Sequence, residues 1–130
     1  MYRATTRSVQ VTVTPRFSPE RSDPERSQFF WAYTVEIVNL GIDTVQLRSR
    51  HWIITDALGR VQEVRGAGVV GEQPVLPPGG HFEYTSGVPL QTATGIMEGS
   101  YNLMTQSGEA FDAEVPAFSL DLPGAARTLN

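Results

Sequence analysis

The residues with the most evident chemical potential lie just past the middle of the chain. Gly66-Ala67-Gly68-Val69-Val70-Gly71 has the G-x-G-x-x-G spacing. In a dinucleotide-binding unit that spacing lets the backbone approach a pyrophosphate at a helix N-terminus. Here the chain continues Glu72-Gln73-Pro74-Val75-Leu76-Pro77-Pro78-Gly79-Gly80. Its prolines remove the helix such a cradle needs, and no second parallel strand follows. A narrower role survives: a nest of N–H groups from Gly66, Gly68 and Gly71, with Arg65 beside it, for a phosphate or pyrophosphate. The competing reading is a tight crossover loop between sheets that binds nothing.

His51 and His81 are the only histidines. They are too far apart in sequence to form a ligand pair on one element, so they are weak metal candidates and no metal site is predicted. The acids form no D-x-D-x-D-G loop for a hard cation. Ser86 lies outside any G-x-S-x-G turn. Together these features predict no enzyme and no cofactor.

The elements that must position these residues are strands. Val9, Val11 and Val13 alternate with polar residues, as in a half-buried strand. Residues 15–27 carry three prolines and six charges and are expected to be a mobile loop. From Gln28 to Leu40, Trp31, Tyr33, Val35 and Ile37 share one face of a central strand.

The next strand, Thr44 to Thr55, breaks parity. Val45 and Leu47 fall on one face, Trp52 and Ile54 on the other. A bulge near Ser49-Arg50-His51 would turn all four inward and leave the imidazole outside. Asp56-Ala57-Leu58-Gly59-Arg60 is a hairpin loop and Val61 to Arg65 a return strand. Phe82 and Tyr84 point inward from the following strand. Gly95 to Thr105 and Ala110 to Leu120 form a final hairpin, with Pro116 marking an edge or a bulge. Residues before 7 and after about 120 are expected to fray.

These features predict one all-β domain, an immunoglobulin- or fibronectin type III-like antiparallel sandwich of about seven strands. Tyr101 in Gly99-Ser100-Tyr101-Asn102-Leu103 suits a tyrosine corner, its hydroxyl bonding back to the backbone. Ile37 (or Val35), Trp52 and Leu103 would then form an apolar pin.

At 130 residues the chain should bury about two-thirds of its extended surface, enough for a core without staples. It has no cysteine, so disulfides and thiolate metal sites are excluded. No apolar run approaches the roughly 20 residues of a membrane span, and the N-terminus lacks a signal-peptide stretch. A cytoplasmic location is expected. The net charge of −4 argues against bulk nucleic-acid binding. All ten basic residues are arginine, which a GC-rich coding bias explains.

Four segments occur in order: Arg50 to Ala57, Gly66 to Pro74, Tyr84 to Gly87, and Met97 to Tyr101. Together they closely resemble the ApaG family, over about Val9 to Leu120. The resemblance implies a fibronectin type III-like sandwich and a small bacterial protein encoded near a diadenosine tetraphosphatase and an rRNA methyltransferase. Similar domains in F-box-only proteins and a polymerase delta-interacting protein look like recognition modules. The family is also linked to cobalt and magnesium efflux, in which a domain of this size could act only indirectly.

The reading that follows is a non-enzymatic module. It presents residues 65–80 and a sheet edge to a protein partner, and an edge-paired dimer is plausible. Nucleotide or pyrophosphate binding at the glycine run is the alternative.

Overall fold

The computed structural model describes residues 1–123. It contains nine strands: β1 Tyr2–Thr6, β2 Val9–Phe17, β3 Phe29–Asn39, β4 Val45–Asp56, β5 Val61–Ala67, β6 Val75–Leu76, β7 His81–Leu90, β8 Thr94–Thr105 and β9 Ala110–Asp121. They form two antiparallel sheets, β1-β2-β3-β7 and β5-β4-β8-β9, with β6 also paired to β4. The expected β-sandwich is therefore present, with two more strands than the turn signals suggested. The expected C-terminal fraying falls largely on residues 124–130, outside the described region.

The first extra strand corrects the expectation of a frayed N-terminus. Arg7 and Ser8 both adopt left-handed backbone, φ 47° and 69°. That two-residue turn folds β1 back on β2 in register from Thr6↔Val9 to Tyr2↔Val13. Such turns normally advertise themselves with Asn or Gly, and Arg-Ser does not.

Alternation puts the apolar side chains between the sheets. Val9, Val11, Val13, Trp31, Val35 and Ile37 from one sheet are at most 1% exposed. They share one core with Leu47, Trp52, Met97, Tyr101, Leu103 and Phe118 from the other. The predicted pin of Ile37, Trp52 and Leu103 is thus buried in this core. β2 runs through Pro15, which pairs with Tyr33, to Phe17, so the charged loop begins three residues later than its prolines suggested.

Several polar links cross between the sheets, three of them from buried core residues. Trp31 Nε1 donates to the Asp121 carbonyl at 2.9 Å. Asn39, 1% exposed, donates from Nδ2 to the carbonyls of Asp43 and Leu76 and accepts the Gly41 N–H on Oδ1. The hydroxyls of Tyr84 and Tyr101 bond each other. This last contact corrects the tyrosine-corner expectation: Tyr101 lies fully buried within β8 and meets a phenol on the facing sheet, not a local backbone group.

The parity break in β4 is resolved as expected. The register with β8 jumps between Leu47 and Ser49, so the bulge falls on Arg48, one residue before the predicted stretch. Val45, Leu47, Trp52 and Ile54 are all buried. Pro116 satisfies both its readings. β9 is an edge strand, and Met97↔Phe118 followed by Gly99↔Val115 leaves Pro116 and Ala117 bulged opposite Glu98.

Candidate functional site

The β4 bulge organises the glycine run. β5 pairs with residues 49–55 of β4, and β6 pairs with Val45 and Gln46 on the same side. Together they form one edge strand, interrupted opposite Arg48. The run is the chain's detour at that interruption, and the crossing to the other sheet comes later, at Pro77 to Gly80, before β7. Both feet of the detour rest on the Arg48 carbonyl, which accepts the Gly68 N–H at 2.9 Å and the Gln73 side-chain amide at 2.8 Å.

At the tip, Val69 and Glu72 exchange both backbone hydrogen bonds at 2.8 Å. The two residues between them, Val70 at φ 41° and Gly71 at φ 82°, form a tight left-handed turn. Gly68 is required where it lies. Its φ is +62°, and a Cβ there would overlap the Glu72 carbonyl oxygen.

The four residues proposed for an anion nest are distributed differently from the expectation. The N–H groups of Gly68 and Val69 are bonded within the protein. Gly66 lies in β5 opposite Arg50. Gly71 is exposed at the turn. Arg65 turns to the outer face, its guanidinium 3.8 Å from Glu63 Oε2.

The arginine that reaches the run is Arg50. Its Nη1 donates to the Ala67 and Gly68 carbonyls at 3.0 and 2.9 Å, with Gly66 leaving room for it. The bulge explains the exchange. Beyond Arg48, Arg50 shares the inward parity of Trp52, while His51 and its partner Arg65 face out.

Behind Arg50 stand three buried phenols. Burial pushes Tyr33, Tyr84 and Tyr101 up, with Arg50 working against the shift in each case. All three stay protonated near neutral pH, so the cluster is a set of neutral donors and acceptors rather than a nucleophile.

The two histidines are on different sheets. His51 on β4 bonds Glu63 Oε2 at 2.8 Å, and His81 opens β7 on an exposed position. Among the described residues no three His, Cys, Asp or Glu side chains are grouped to hold a metal ion. Among them, too, no helix is long and apolar enough to cross a membrane.

A second concave surface lies at the other end of β5, about 20 Å away along its seven residues. It is an open groove of about 970 Å³ between the β4–β5 hairpin and the 15–27 loop. Its floor is Phe29, Phe30, Ile54 and Leu90, and Arg21, Arg26 and Arg60 line it.

Sequence reasoning missed this surface, although a signal was present. Pro19-Glu20-Arg21-Ser22 is repeated as Pro24-Glu25-Arg26-Ser27. Each copy folds as a 3₁₀ turn, Pro19–Arg21 and Pro24–Arg26, ending on its arginine. Proline at the first position and a short turn give each copy the same local shape.

Asp56 shapes the opposite wall. Its Oδ1 accepts the N–H groups of Leu58 and Arg60, and its Oδ2 meets Arg60 Nε at 2.7 Å. Burial alone would raise this carboxyl, but those hydrogen bonds together hold it below the usual aspartate range.

The fold and its two exposed features define an all-β, two-sheet domain whose glycine motif repairs an edge strand. The chain belongs to the ApaG family, the ApaG domain matching over residues 19–105. It is 68% identical to Protein ApaG of Azorhizobium caulinodans and 64% identical to Protein ApaG of Xanthobacter autotrophicus, over the full length of each chain. A solved structure from Bordetella pertussis described as ApaA superposes with a TM-score of 0.88 at 52% identity, covering 90% of this chain and 95% of that one.

Proposed function

We propose that this domain is a non-enzymatic interaction module that presents the excursion between Arg65 and Gly80 to a protein partner. The observation that carries this reading is Val70. A β-branched residue in left-handed backbone is an outlier, with a penalty of about 1–2 kcal/mol. Val70 accepts it at the tip of the detour, with 55% of its surface exposed. Val75, on the returning limb, is 58% exposed. Strain held at an exposed apolar tip is the pattern of a contact residue rather than of packing.

Pulldown from a bacterial lysate tests the reading, comparing the wild type with Val70→Asp and with a Val70→Gly control that keeps the turn. A protein retained by the wild type and lost with Val70→Asp supports the module. Retention that is indifferent to all three proteins counts against it.

The alternative, a phosphate or pyrophosphate at Arg65 and the glycine run, has less support. The Gly68 N–H it would draw on is occupied, and Arg65 faces Glu63. Calorimetric titration with pyrophosphate decides it, and no saturable heat is expected. Gly68→Val is an unsuitable control, because the substitution collides with the backbone of Glu72.

A further inference from the structure

The groove between the duplicated turns and the β4–β5 hairpin combines an apolar floor, a cationic rim and walls fixed by hydrogen bonds. We propose that it receives an extended acidic segment of a protein partner, anchored by one bulky apolar side chain. This goes beyond the interaction-module reading, to a different surface of the same domain.

Charge comes first. The chain carries a net charge of −4, yet the groove is lined by three arginines and one acid, Asp56. That acid is committed on both oxygens to its own hairpin. Glu20 and Glu25, inside the same repeats as Arg21 and Arg26, do not line the groove. The duplication therefore delivers cations to one side and leaves the acids outside it.

Arg21 is the most available of these cations. Its guanidinium lies over the Phe30 ring, 4.1 Å from the centroid, and it has no carboxylate partner among the described residues. A guanidinium stacked in this way keeps its in-plane N–H groups free, and that edge matches a carboxylate bidentately. Arg26 has only an exposed contact with Asp23, at 3.5 Å.

The walls are also preorganised. Ser22 Oγ donates to the Ser18 carbonyl and accepts the Phe30 N–H. Asp23 and Gln28 exchange backbone hydrogen bonds around the second turn. Little ordering is left to be done on binding, which favours affinity.

The floor selects the class of occupant. Phe29, Phe30, Ile54 and Leu90 offer an apolar surface that a free inorganic anion cannot use, and Leu58 adds a rim side chain 72% exposed. Gln28, Gln62 and Gln91 line the same groove with side-chain amides that make no hydrogen bond among the described residues, and these can pair with a peptide main chain. Carboxylates to the arginines, main chain to the amides and an apolar anchor to the floor describe one ligand.

The test is a random nonapeptide phage library panned on the wild-type domain. Enriched peptides are then synthesised and titrated against wild type, Arg21→Glu/Arg26→Glu, and Val70→Asp. The expected result is enrichment of sequences combining Asp or Glu with an aromatic or large aliphatic residue. Their binding should weaken at least tenfold in the double arginine variant, whose melting temperature should stay close to wild type, and with rising salt. It should be unchanged by Val70→Asp, so a failed lysate pulldown and a failed groove are separate results. No enrichment, enrichment without acids, or equal affinity for the double variant overturns the proposal. So does pyrophosphate alone saturating the groove, read from the amide NMR shifts of Phe30 and Leu58, because the site would then belong to a small anion.

Discussion

Along the side where β1 and β2 meet β9, side chains reach across and close the sandwich. On the opposite side β5 and β7 end their sheets with no strand beyond them among the described residues. The closed side caps an edge without adding a strand. Thr6 Oγ1 accepts the Glu114 N–H, Tyr2 lays its ring 6.0 Å from Phe118, and Arg7 grips Glu109 with two bonds of 3.0 Å while lying over Phe111. The open side carries both the glycine excursion and the arginine-lined groove. An unpaired edge is a hazard a small domain normally blunts. This chain caps one side and leaves the other without a covering strand among the described residues, and the proposed recognition surfaces both lie on that second side.

The contrast predicts that closed-side and core changes move stability, whereas open-side changes move binding. The largest effect should come from Gly99→Ala. A Cβ at Gly99 would overlap the His51 carbonyl oxygen in the middle of the β4–β8 pairing. A loss of about 3 kcal/mol is expected by urea denaturation, the upper end for forced overpacking.

Next comes Asn39→Ala, which strips the Asp43 and Leu76 carbonyls of their donor and should destabilise by about 2–3 kcal/mol. Tyr2→Ala removes the ring over Phe118 and should lower stability by about 1–2 kcal/mol while leaving partner capture intact. If capture fell with it, the division between the sides would be wrong.

Val70→Gly has the opposite sign. Relieving the left-handed valine should raise stability by about 1 kcal/mol in the same assay while removing the apolar contact.

The smallest effect concerns acid. The Arg7 hydrogen bonds, and then its charge, hold the Glu109 carboxyl below the usual glutamate range. Because the folded value is the lower one, this contribution is complete above the ordinary glutamate pKa. It is lost as pH falls through the depressed value. Arg7→Ala should flatten that acid limb slightly and leave the curve near neutral pH unchanged in shape.

Much of the fold was legible because its signals were local. Strict alternation placed Val9, Val11, Val13 and the β3 aromatics. The parity clash between Leu47 and Trp52 demanded a bulge, since only an extra residue lets both be buried. β1 escaped notice because Arg7-Ser8 turns without a turn signature.

Tyr101 was read as a local corner, whereas its partner, Tyr84, lies on the other sheet. The candidate site was less legible for a related reason. Which arginine meets the glycine run depends on the residue at which the bulge falls, and which N–H groups are free depends on pairing across the sheet. Spacing within the run carries neither. The duplicated Pro-Glu-Arg-Ser was visible as a repeat, but a repeat alone does not say which way its arginines face.

The bulge at Arg48 has a consequence for how the gene can change length. Deleting that residue would leave β4 a regular strand on which Val45, Leu47, Trp52 and Ile54 still share one face, so the core does not require it. The deletion would instead remove the carbonyl on which Gly68 and Gln73 rest. The extra residue in β4 and the detour from Val69 to Gln73 are thus two halves of one insertion. In related chains, gaps at these two places should appear together or not at all.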